Sequence, residues 1–210
     1  MFQLTKLRPQ IYSLTFDEKK DLIYHFMRWQ EIYESAGENF RNKPFQLIDY
    51  IKWYSFQHGT GNFDYYSHWA GFNIPGDIIK DFYPLITDKN DHDNFMFQIY
   101  NYCTRDAGTD KIYLIGSRSG ESVTLRHEVA HGLFYTNEQY KLESLHLVSQ
   151  LPQDIYDKLE AELFYFGYCN EVINDEIQAF MATGLGKRFG EIDTKYQKPF
   201  IDLFNKYNKE

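Results

Sequence analysis

The segment His127-Glu128-Val129-Ala130-His131 constrains this chain more than any other. Two imidazoles four residues apart lie on one face only where the backbone between them is helical. On such a helix both rings can reach a single cation. Glu128 then sits about 100° around the axis from His127, where it can approach a cation-held water without being a ligand, the position a general base requires. The flanks agree with a helix from Ser122 onward, with Ser122 placed as its N-cap and Leu125, Val129 and Leu133 on one apolar face.

The remainder of the chain is read from periodicity and punctuation. Phe2 to Leu14 alternate loosely, which predicts one or two strands broken at Pro9. Thr15 and Glu18 have the spacing of a capping box, so a helix is expected from there to Gly37. A second helix is expected from Pro44 to near Gly59, followed by a loop that continues to Gly76 and a short helix from Asp77 to Phe82. The polar run Thr87 to Asn94 reads as a solvated turn; its acids lack the glycine and terminal glutamate of a calcium loop. Phe95 to Tyr102 fits helix or strand, and Asp110 to Gly116 fits a strand. Helices are expected over about 137–150, 153–166 and 171–183, with a terminal one over 192–208 interrupted near Pro199.

No internal repeat and no Gly/Ser/Pro-rich linker divides the 210 residues, so the sequence predicts one compact domain, 1–210. Aromatic residues make up 19%, with 18 Tyr and 18 Phe, which predicts a bulky core. Twenty-two basic residues face 30 acidic ones, for a formal charge of −8, and no cluster of Lys and Arg exceeds two in a row. A nucleic-acid partner is therefore disfavoured, because binding one needs a basic footprint. There is no run of about 18 apolar residues and no leader-like N-terminal segment. Cys103 and Cys169 do not make a disulfide framework. The expectation is a cytoplasmic protein without a membrane partner, its oligomeric state unspecified.

The strand from Lys111 to Gly116, a short turn and the H-E-x-x-H helix together resemble the zincin metallopeptidases, over residues 110–184. Residues 1 to 109 carry no part of that resemblance. It implies an α+β, helix-rich fold with a small sheet beside the motif helix, and an edge strand that holds an extended peptide by strand addition. It also implies Zn²⁺ bound through His127 and His131. The metzincin branch would need Gly at position 134 and His at 137, where this chain has Phe134 and Asn137. The gluzincin branch takes a glutamate from a later helix, and Glu171 and Glu176 are the leading candidates, ahead of Glu160 and Glu162.

Helical geometry separates the two. Glu176 shares its face with Val172, Ile173, Ala179 and Phe180, whereas Glu171 shares one with Asn174, Asp175 and Gln178. A carboxylate on the apolar side is costly unless a cation offsets it, which favours Glu176. Ala179 also resembles the small residue that many gluzincins place three after the ligand. Glu171 stays open, because Asn170-Glu171 with Asp175 four residues on resembles the thermolysin-like pattern, in which that acid braces a ligand histidine. Under the Glu176 reading the corresponding place is Phe180.

The resulting expectation is a zinc peptidase. His127, His131 and Glu176 hold the metal, an open fourth position takes water, and Glu128 is the general base for attack on a peptide or protein substrate. Tyr135, Tyr140, Tyr168 and His146 are the nearby candidates to stabilise an oxyanion. Two alternatives remain: a zincin-like binding or regulatory module with little or no turnover, and a structural metal site closed by a fourth protein ligand such as Glu171.

Overall fold

The computed structural model describes the chain apart from residues 36, 58–61, 68–70, 121, 167, 187–188 and 210, and apart from the side chains of residues 67 and 122–124. His58, Gly59, His68, Lys187 and the capping hydroxyl of Ser122 therefore lie outside the described set. The fold is α+β and rich in helix. It divides into two compact units, Met1–Glu121 and Ser122–Glu210. His127, Glu128, His131 and Glu176 all belong to the second.

The first unit is built on a four-stranded sheet. β1 (Phe2–Arg8) pairs antiparallel with β2 (Ile11–Phe16), β2 pairs parallel with β4 (Tyr113–Arg118), and β3 (Phe72–Pro75) pairs antiparallel with β4, in the order β1-β2-β4-β3. β2 and β4 are buried at almost every position, as expected for interior strands covered on both faces. The strand expected over 111–116 thus forms, but it is not an edge. From Tyr113 to Gly116 it is flanked by Ile11–Leu14 on one side and Phe72–Pro75 on the other, so no extended peptide can add to it there. Residues 72–75, expected to be loop, become a strand through this non-local pairing.

Helix α1 (Lys19–Glu34) buries Leu22, Ile23, Phe26, Met27, Trp29 and Ile32. A Cβ on Gly116 would meet the Phe26 ring at 2.8 Å and Leu22 at 2.9 Å, so the lack of a side chain there lets the helix approach the sheet closely. The expected Thr15–Glu18 capping box does not form. Thr15 lies in β2 with its Oγ1 3.2 Å from Ser117 Oγ, and Glu18 precedes the helix without a side-chain capping bond. Strand pairing has taken the threonine. Helices α2 (Leu47–Gln57) and α3 (Gly76–Phe82) follow. α4 (Asp91–Ala107) begins with a true capping box between Asn90 and Asp93, so the polar run is the start of a helix. Its acids are engaged in other ways: Asp88 accepts from Arg28 and from the Leu47 backbone, and Asp93 lies against Arg28.

The second unit contains helices α5 (Ser122–Thr136), α6 (Glu138–Ser149), α7 (Gln153–Tyr165), α8 (Ile173–Thr183) and α9 (Thr194–Tyr207). α8 is the hub, packed by α5, α6, α7 and α9. Ile173, Glu176, Ile177, Gln178, Ala179, Met181 and Ala182 are all buried on it, so most of its circumference faces protein. Asn137 caps α6 by accepting from the Tyr140 backbone N–H. α9 runs through Pro199 without the expected interruption. Pro199 is the sixth residue of the helix, where a proline removes one main-chain bond and crowds the carbonyl four residues back, and buried Phe200, Leu203 and Phe204 hold the turns that follow. Among the described residues no helix is long and apolar enough to cross a membrane.

Candidate metal centre

α5 and α8 pack on each other, and Ala130 on the first and Ala179 on the second are fully buried. α5 turns His127 and His131 toward α8, and α8 turns Glu176, Phe180 and Thr183 back, residues spaced at 4 and 7 along one helical face. One potential ligand atom from each of His127, His131 and Glu176 lies within 4.8 Å of the others. Among the described residues this is the group of His, Cys, Asp or Glu side chains so arranged.

The hydrogen bonds around the rings decide which nitrogens face the centre. His127 Nδ1 is 3.2 Å from Thr183 Oγ1, whose own proton goes to the Ala179 carbonyl at 2.7 Å. The hydroxyl can therefore only accept, and His127 Nδ1 is the donor. His131 Nδ1 is 2.9 Å from Asp175 Oδ1, again as donor. Both Nε2 atoms are thereby turned inward, 3.1 Å apart. Glu176 completes the triangle, with Oε2 3.7 Å from His127 Nε2 and Oε1 3.5 Å from His131 Nε2.

These separations fit a divalent cation. Two Zn–N bonds of about 2.0–2.1 Å at a tetrahedral angle place their nitrogens roughly 3.3 Å apart. Glu176 is 5% exposed, and its Oε2 is buried with no hydrogen-bond partner. An orphaned carboxylate oxygen in such a place is costly and is what a cation would satisfy. His131 is fully enclosed. Burial by itself would depress its pKa, but the surrounding carboxylates Asp175, Glu176 and Glu128 hold it well above the usual histidine value. The centre thus carries an excess of negative charge. His127 is the most open of the three, with 19% of its side chain exposed, and its ring packs against Phe180 at 4.5 Å between centroids.

Glu128, next to His127 on α5, is 8% exposed and belongs to the charge surrounding His131. Glu171 lies outside the cluster, exposed on the 3₁₀ turn Asn170–Val172 that precedes α8. Glu160 and Glu162 remain on α7. Asp175, which the sequence associated with Glu171, braces His131 while Glu176 points at the centre. Tyr140 is buried with its hydroxyl committed to Gln178, which removes it as an oxyanion donor. His146 is exposed on α6 beside Gln150. His25 and His92 face each other in the first unit, 3.3 Å apart. Sequence reasoning passed over Thr183 and any role for Gln178, and it tied the bracing role of Asp175 to Glu171 as the ligand. Thr183 alone carried a signal, lying two turns from Glu176 on the same face.

Cys103 is a buried free thiol. Burial, reinforced by Asp106, pushes the Cys103 thiol up to about 12, so it is no nucleophile. No family model, curated protein or solved structure matches the chain.

Proposed function

We propose that the chain is a zinc-dependent hydrolase of peptide bonds, cytoplasmic, with His127, His131 and Glu176 as metal ligands and Glu128 as general base. The observation that carries this reading is the convergence of two inward-facing Nε2 atoms and an orphaned carboxylate oxygen, with each Nδ1 already committed elsewhere. A zinc ion there would supply Lewis acidity, polarising a carbonyl and making water acidic near neutral pH.

The protein's own contribution is orientation and proton handling. Thr183 and Asp175 fix the two rings, so the ligand set needs no reorganisation. Glu128 takes a proton from the water whose oxygen attacks the peptide carbonyl carbon. It then returns that proton to the amine nitrogen as the C–N bond breaks. No fourth protein ligand joins the cluster among the described residues, which favours an open catalytic site over a closed structural one.

The test is metal content by elemental analysis together with cleavage of a peptide library by wild type and Glu128→Gln. About one zinc per chain in both proteins, with cleavage lost only in the variant, is the expected result. A Glu128→Gln protein with full activity would remove the mechanism, and a zinc-loaded wild type that cleaves nothing would leave a binding module in its place.

A further inference from the structure

The buried interior of the second unit contains a polar pair that hydrolysis does not use. Gln178 is 0% exposed and Tyr140 is 1% exposed. The Tyr140 hydroxyl donates to Gln178 Oε1 at 2.7 Å, and Gln178 Nε2 donates to Asp175 Oδ1 at 2.8 Å. That same carboxylate oxygen receives His131 Nδ1–H at 2.9 Å. A continuous run of bonds therefore leads from α6 through α8 to α5.

Its direction is fixed by chemistry. A carboxylate only accepts, so the amide must offer Asp175 its nitrogen and keep its oxygen for Tyr140. Turned over, the amide would set its oxygen against the Asp175 carboxylate. Each member thus has one orientation that satisfies it, and each neighbour enforces that orientation. An apolar interior at these positions would be easier to fold, since buried polar groups stabilise only when every partner is present.

We infer that Gln178 and Tyr140 are positioning residues, which hold Asp175 in the one rotamer that keeps His131 Nδ1 engaged and its Nε2 turned toward Glu176. This rests on the metal-centre reading for its functional meaning. The physical claim, that the pair controls the His131 ring, stands apart from it and can be measured without metal. Asp175 is itself partly open, with 19% of its side chain exposed. Without the amide it has one donor on Oδ1 instead of two, and water can draw it away from the ring.

The experiment compares wild type, Gln178→Met and Tyr140→Phe, each held well below its own Tm. Gln178→Met keeps the bulk of the side chain, and Tyr140→Phe removes a single oxygen, so the second decides the matter if the first does not fold. One readout is the Zn²⁺ dissociation constant, by competition with a chromophoric chelator. The other is the His131 ring N–H proton in metal-free protein by NMR. The expected result is Zn²⁺ affinity about tenfold weaker in Gln178→Met, the scale of outer partners of ligand histidines, with a smaller loss in Tyr140→Phe. The His131 N–H resonance, slowly exchanging in wild type, should broaden in both. A lower Tm with unchanged affinity and an unchanged resonance would make the pair structural only and overturn the inference. If wild type binds no Zn²⁺, the metal-centre reading fails, while the resonance still decides whether the pair controls His131.

Discussion

The Nε2 atoms of His127 and His131 face each other at 3.1 Å, while each Nδ1 is turned outward to an acceptor of its own, Thr183 or Asp175. Two imidazole nitrogens so placed repel unless a proton or a cation lies between them. Added Zn²⁺ should therefore raise the melting temperature of metal-free protein and saturate at one ion per chain. At a free concentration about 100 times the dissociation constant, the gain is about 2.7 kcal/mol. Differential scanning fluorimetry with a chelator as the reverse arm measures it. His131→Ala should abolish the shift, and a wild-type protein whose Tm does not respond to zinc would refute a formed site.

Glu176 and Glu171 make opposite predictions. Glu176 is buried in the cluster with an orphaned oxygen, and Glu171 is exposed on the turn before α8. Glu176→Gln should lose bound zinc, whereas Glu171→Gln should retain about one ion per chain. Elemental analysis after gel filtration distinguishes them, and zinc lost from the Glu171 variant alone would transfer the ligand role to it.

The contrast between these two residues also marks where sequence reasoning reaches and where it stops. The apolar neighbours of Glu176 were enough to place it on the buried side of α8, because helical periodicity is local. The bracing role of Asp175 was legible only through the resemblance, which joined it to Glu171 and not to Glu176. Asp175 sits one residue from Glu176, about 100° around the axis, and only the position of α5 determines that this direction meets His131. β3 was missed for a related reason: four residues ending in Pro75 have little strand character of their own, and their partners on β4 lie some forty residues on. The Thr15–Glu18 capping box failed because Thr15 is paired with Ser117 in the sheet, a contact no local pattern announces. The α+β class and the order of helices in the second unit were legible, since each helix there carries its own period or cap.

Arg28 tests the polar interior of the first unit. It is 2% exposed, reaches Asp88 at 2.8 Å and Asp93 at 3.1 Å, and donates to the Phe45 carbonyl. Arg28→Met would leave the buried Asp93 carboxylate without its cation, at a cost of about 3–5 kcal/mol. Urea denaturation should show a lower midpoint with little dependence on salt, since buried charges are weakly screened. A loss under about 1 kcal/mol would mean that Asp93 is satisfied by its bond from the Asn90 backbone and that Arg28 matters little.

Glu31 makes stability depend on pH in the direction opposite to most carboxylates. It is 4% exposed and accepts from the Tyr65 hydroxyl at 2.7 Å. Burial raises its pKa above the ordinary 4.5, against opposing hydrogen bonds from Tyr65, Ser35 and Tyr50. Below 4.5 the carboxyl is protonated in folded and unfolded chains alike. As pH rises toward the folded value, the unfolded chain releases the proton while the folded one keeps it, so this residue's contribution falls over that window and stays low above it. Glu31→Gln keeps an oxygen for Tyr65 and cannot ionise. Its Tm should match wild type near pH 4 and exceed it at neutral pH, with each 1 kcal/mol of difference appearing as about 2–4 °C. Melting curves at several pH values measure the gap, and a gap that stayed constant across the series would show that Glu31 is not buried as an acid.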